Sequence, residues 1–66
     1  MFSILDYSIG DKLEVKAIND KLFTGIIIDF EYKDEYPEDG ITIETREGNI
    51  IGFYLSEIKE IKLLSK

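Results

Sequence analysis

The chain has 66 residues with no cysteine and no histidine, so neither a disulfide framework nor a Cys/His metal centre can hold it together. This length gives room for one domain, 1–66, with one core, and a net stability of roughly 3–10 kcal/mol. A formal charge of −6 argues against a general binder of phosphate backbones, which needs an excess of Lys and Arg, and makes a basic partner the natural complement.

Met1 to Tyr7 (MFSILDY) fits a short N-terminal helical turn and an extended edge segment equally well, with Phe2, Leu5 and Ile9 as candidates to face the core. It contains Asp6 and no basic residue, unlike the start of a secretion signal. The longest apolar run, Ile26-Ile27-Ile28, is far short of the roughly 20 residues that span a bilayer, so a soluble cytoplasmic protein is the expectation.

Gly10-Asp11 marks a turn, after which Lys12 to Ile18 alternates: Leu13, Val15 and Ala17 point one way, Lys12, Glu14 and Lys16 the other. Asn19-Asp20 supplies a hairpin turn, because short Asx side chains tolerate left-handed backbone. The second strand, Leu22 to Tyr32, is apolar on both faces, as in a strand that bends from one sheet layer to the next. Gly25 is the cheapest place for that bend or bulge, since it has no Cβ to obstruct a neighbouring strand.

Lys33 to Gly40 (KDEYPEDG) is a charged loop holding the only proline. A third strand follows at Ile41 to Arg46, with Ile41, Ile43 and Thr45 on one face, then a tight turn at Glu47-Gly48-Asn49. Ile50 to Leu55 is the fourth strand, with Ile51, Phe53 and Leu55 inward. Ser56-Glu57-Ile58 suits one 3₁₀ turn, and Glu60 to Leu64 ends the sheet with Ile61 and Leu63 on a common face.

So many short strands in so small a chain predict an all-β fold: one five-stranded sheet curled into a closed SH3-like or Sm-like small barrel. An OB-type barrel normally needs a longer chain and a helix between its third and fourth strands, and no helical period exists between Ile41 and Leu55.

Gly25, Ile27, Phe30 and Glu31 resemble the first half of the Sm motif, which spaces a glycine, a large aliphatic, an aromatic and an acid in this way. The short asparagine-bearing loop that contacts RNA in that family is replaced here by the acidic loop. The Arg-Gly pair before its last strand is replaced by Leu55-Ser56-Glu57-Ile58. The C-terminal half looks more like the small acidic bacterial Sm-like barrels of the Rho-binding antitermination type, with Leu55, Ile58 and Ile61 in their pattern. That resemblance implies a barrel that acts by binding a protein and not by catalysis.

The charge is concentrated. Asp29, Glu31, Asp34, Glu35, Glu38 and Asp39 face a single Lys33, while the other eight acids and seven bases nearly cancel. As a calcium loop the segment fails, because counting from Asp29 places Lys33 fifth and Asp34 sixth, where an oxygen ligand and a glycine are required. A solvated guard on a strand edge is its plainest role. A docking surface is its functional role, with Tyr32, Asp34, Glu35, Tyr36, Glu38 and Asp39 as the contact residues for a protein with a basic surface.

Nucleic-acid binding would use Phe23, Phe53 and Tyr54 for stacking and Lys12, Lys16, Lys21 and Arg46 for phosphate. Glu14, Glu44 and Glu47 interrupt those bases. Without His or Cys, no activated nucleophile or near-neutral base is at hand, so neither enzymatic activity nor a cofactor or metal is expected. The sequence therefore reads as a small acidic binding module that contacts a protein partner. The alternatives are an Sm-like RNA-binding ring whose subunits pair through their edge strands, and an accessory protein of a phage or mobile element. The Ile, Lys and Glu richness is compatible with an AT-rich bacterial or phage genome.

Overall fold

The structure, a computed structural model, describes residues 6–65. Five strands, β1 (Lys12–Ala17), β2 (Leu22–Glu31), β3 (Gly40–Thr45), β4 (Ile50–Tyr54) and β5 (Ile58–Ser65), form one antiparallel sheet in the order β4-β3-β2-β1-β5. A 3₁₀ turn, Leu55–Glu57, links β4 to β5. The all-β, small-barrel reading of the sequence holds, and the 3₁₀ turn is present one residue earlier than the sequence placed it, taking Leu55 from the fourth strand and leaving Ile58 to open β5. Phe2 and Leu5 of the N-terminal segment lie outside the described residues.

The connection between β4 and β5 dictates the curvature. These strands sit at opposite edges of the sheet, yet only three residues separate them. Four inter-strand spacings in a flat sheet span about 19 Å, while the four residue steps from Tyr54 to Ile58 reach about 14 Å at most. The sheet must curl. Two backbone bonds seat the connection: Leu55 N–H donates to the Asp39 carbonyl at 3.0 Å and Ile18 N–H to the Glu57 carbonyl at 3.1 Å.

The curl stops short of closure, which corrects the closed barrel expected from the sequence. The 3₁₀ turn delivers β5 to β1, and β4 and β5 are not paired with each other.

Period-2 alternation selects the core. Leu13, Val15 and Ala17 of β1, Ile27 of β2, Ile41 and Ile43 of β3, Phe53 of β4 and Ile58 of β5 are all buried, so every strand contributes. Phe23 and Phe53, from strands with β3 between them, bring their rings to 5.3 Å on the concave side. Such tilted aromatic pairs are favourable beyond the area they bury.

The bend in β2 lies elsewhere than the sequence suggested. The register with β3 slips between Ile27 and Asp29, so Ile28 is the bulged residue and Gly25 is not. Alternation restarts beyond it, which turns Phe30 towards the core opposite Ile41. Gly25 serves a different purpose: a Cβ there would sit 2.6 Å from the Glu44 carbonyl oxygen, so the glycine permits close approach of β3. Leu22, Ile26 and Ile28 remain on the solvent side of β2. Ile9 is likewise exposed, and Tyr7 instead packs against the core. Burial, with the neighbouring Asp6 adding to it, raises the Tyr7 phenol above its ordinary pKa.

Candidate functional site

Two inward-turning carboxylates give the acidic loop its shape. Asp39 Oδ1 accepts the Lys33 N–H at 2.8 Å, closing the loop on itself. Glu38 crosses to the 3₁₀ turn, where Oε1 accepts the Ser56 N–H and Oε2 the Ser56 hydroxyl, both at 2.8 Å. The amides of Glu35 and Tyr36 both donate to the Tyr32 carbonyl at 3.0 Å, winding the first half of the loop into a turn. Short polar residues and one proline offer no apolar face to bury, so hydrogen bonds to the loop's own backbone and to Ser56 do the anchoring.

The six contact residues expected from the sequence therefore divide. Asp34 and Glu35 are exposed charges, and Tyr32 and Tyr36 are 52% and 44% exposed. The Tyr32 ring stands 6.3 Å from that of Phe30, which braces it from the strand end. Glu38 and Asp39 are spent on internal bonds, Asp39 to the loop's own backbone at Lys33 and Glu38 to Ser56 of the 3₁₀ turn. The sequence contained a signal for this split: Asp39 directly precedes Gly40 and the next strand, a position where Asx side chains bond local backbone. Nothing in the sequence announced the Glu38–Ser56 pairing across 18 positions.

A second acidic feature, which the sequence reading missed, lies on the convex face of β3 and β4. Gly52 leaves that face bare, and Glu31, Thr42, Tyr54 and Glu57 wall a groove of about 270 Å³. Glu31 Oε2 accepts the Thr42 hydroxyl at 2.8 Å, and Glu57 Oε1 accepts the Tyr54 N–H at 2.9 Å. Gly40 permits the tight spacing here, since a Cβ on it would lie 2.5 Å from the Phe53 carbonyl oxygen. Glu31 is four residues from Glu35 in the chain, so groove and loop are neighbours. The only hint in the sequence was a glycine inside a strand.

Other candidate chemistry does not assemble. Phe23 and Phe53 pack against each other on the concave side, while Tyr54 is on the convex side, so the three aromatics form no common stacking platform. A larger groove of about 700 Å³ runs between β2 and the end of β3, where Lys12 and Arg46 face Glu44 and Glu47. Its mixed charge selects no partner chemistry. Among the described residues, no group of three or more His, Cys, Asp or Glu side chains is placed to hold a metal ion. No helix there is long and apolar enough to cross a membrane.

No protein-family model matches the chain, and no curated protein or solved structure matches it either.

Proposed function

We propose that the protein is a small, acidic, non-catalytic module that captures a protein partner through a basic surface, and that it does so in the cytoplasm. The observation that carries this reading is the division of labour in the acidic loop. Glu38 and Asp39 are bonded inward while Asp34, Glu35, Tyr32 and Tyr36 face solvent on a fixed frame. A loop that served only as a soluble guard would need no such anchoring. Holding the contact residues in place before binding lowers the ordering cost that otherwise subtracts from affinity. Tyrosine suits the role because it covers large area with few rotamers and still offers a hydroxyl.

The non-catalytic part of the reading is supported by the absence of His and Cys and by the solvent exposure of Asp34 and Glu35. The likeness of the C-terminal half to the Rho-binding antitermination barrels points the same way, towards a regulatory protein contact. RNA capture by a ring of subunits receives no comparable support, since the aromatics and bases it would use are dispersed.

The test is affinity capture from the native cell, at low and high salt, comparing the natural chain with Asp34→Lys/Glu35→Lys. Both positions are exposed, so the variant should fold and melt like the natural protein. A basic protein retained by the natural chain at low salt should be absent from the variant's eluate. Equal retention by both would remove the loop from the interface.

A further inference from the structure

We propose that the free edge of β4 accepts an extended segment of the partner, carrying Lys or Arg at alternate positions, as a sixth strand. This rests on the reading of the protein as a module for a basic partner, and it adds how the partner is held.

The two edges of the sheet are built differently. β5 is protected: its register with β1 slips at both ends, and Lys59, Glu60 and Lys62 line it. Bulges and charges are the usual means of preventing edge-to-edge pairing. β4, with the sequence IIGFY, has no charge and no proline, and its register with β3 is unbroken. Among the described residues β3 is its only strand neighbour.

The backbone of β4 is aimed for such an addition. Thr45 N–H donates to the Asn49 carbonyl and Leu55 N–H to the Asp39 carbonyl, which fixes the alternation along the hairpin. Ile51 and Phe53 therefore turn their amides and carbonyls to β3, and Ile50, Gly52 and Tyr54 turn theirs outward. The Tyr54 N–H confirms the direction, because Glu57 from outside the sheet accepts it. Glu57 thus marks the end of the usable edge, and Ile50 and Gly52 present the paired donors and acceptors a new strand requires.

Charge decides the occupant. The groove beside Gly52 has Glu31 and Glu57 in its walls, with Tyr54 and Thr42 between them. A Lys or Arg side chain from an added strand would lay its alkyl stem along Tyr54 and bring its cation to those carboxylates. A second copy of this chain fits poorly: its β4 has no cation to offer, its β5 edge is irregular at both ends and sets Glu60 between Lys59 and Lys62, and each copy has a net charge of −6.

The experiment follows backbone amide exchange by NMR in the full chain, titrated with a blocked heptapeptide of alternating Lys and Val. At saturation the Ile50 and Gly52 amides should exchange at least tenfold more slowly. The same peptide with its backbone N-methylated, and a Glu–Val counterpart, should leave them unchanged. Glu31→Gln keeps an acceptor for Thr42 but removes the charge, and should weaken the Lys–Val peptide by up to about fivefold, the scale of one exposed ion pair.

Slowed exchange at Ile61 and Leu63 in place of β4, or no change at any residue, would overturn the proposal. So would protection of Ile50 and Gly52 that grows with protein concentration without peptide, since the occupant is then a second copy. A response confined to Tyr32 through Tyr36 would overturn the edge and leave the loop reading intact. In Asp34→Lys/Glu35→Lys the slowed exchange at Ile50 and Gly52 should persist, so a failure of the loop reading is seen separately.

Discussion

Glu38 grips Ser56 with both carboxylate oxygens, one on the backbone N–H and one on the hydroxyl, each at 2.8 Å. One side chain thereby fastens the acidic loop to the turn that carries the chain from one sheet edge to the other. The contact is exposed, so its stabilisation lies at the low end for hydrogen bonds to a charged group. Glu38→Ala should cost about 1.5 kcal/mol in urea unfolding. Its larger effect should be local: amides of Lys33 to Tyr36 should exchange faster while those of β1 to β3 keep their rates. Glu38→Gln, which can still accept the Ser56 N–H, should fall between. Unchanged loop exchange in Glu38→Ala would show that the loop needs no such anchor.

Glycine at two strand positions separates backbone crowding from open space. Gly25→Ala drives a Cβ to within 2.6 Å of the Glu44 carbonyl oxygen, a neighbour that cannot rotate away. Overpacking of this kind should cost about 1–3 kcal/mol. At Gly52 the nearest atom to an added Cβ is Thr42 Oγ1 at 3.6 Å, an ordinary contact. Gly52→Ala should stay within about 0.5 kcal/mol of the natural chain. Chemical denaturation of both variants gives the comparison directly, and similar losses at both sites would contradict the close-approach account of Gly25.

Ile27 is completely buried at the centre of the sheet, opposite Ile43. Ile27→Ala should cost about 2–5 kcal/mol, because so small a core has few neighbours able to collapse into the space left. For a chain whose total stability is roughly 3–10 kcal/mol that loss approaches global unfolding. Ile28→Ala, one residue along at the bulge and solvent-facing, should cost far less. Thermal melts monitored by circular dichroism would resolve the pair, and equal losses would reverse the assignment of faces around the bulge.

Lys59 donates to Asp20 Oδ1 at 2.7 Å, tying β5 to the β1–β2 hairpin turn, where Asp20 adopts a left-handed φ of 69°. The hydrogen bond and charge of Lys59 lower the Asp20 pKa, and the same pairing raises that of Lys59. A depressed carboxyl contributes stability that is present above its unfolded pKa and lost as pH falls through its folded value. A raised lysine contributes stability that is full below its unfolded pKa and lost as pH rises through its folded one. The melting-temperature difference between the natural chain and Asp20→Asn should therefore be greatest near neutral pH, shrink in strong acid and in strong alkali, and diminish with salt. Asparagine keeps the tolerance for left-handed backbone, so the comparison isolates charge. A difference independent of pH would mean the pair contributes nothing through ionisation.

Much of the fold was legible because a half-buried strand writes its geometry into alternate residues. Leu13-Val15-Ala17 and Ile41-Ile43 gave both the strands and their inward faces, and Asn19-Asp20 and Gly48 gave the turns. Local chemistry was enough for these, since side-chain period and backbone torsion are properties of neighbours in the chain. β2 was legible only in part: the Ile26-Ile27-Ile28 run is apolar at every position, so its pattern cannot say which isoleucine is bulged. Pairing with β3 settled that in favour of Ile28.

The sequence alone determined an all-β chain, its strands and turns, and an excess of negative charge gathered between Asp29 and Asp39. Tertiary structure decided that the curled sheet stays open, that Glu38 and Asp39 turn inward while Asp34 and Glu35 do not, and that Glu31 and Glu57 line one groove beside Gly52. The reason is range. Alternation and turn propensity act between residues a few positions apart, whereas an edge left unpaired, or a carboxylate 18 positions from its donor, depends on how distant segments pack.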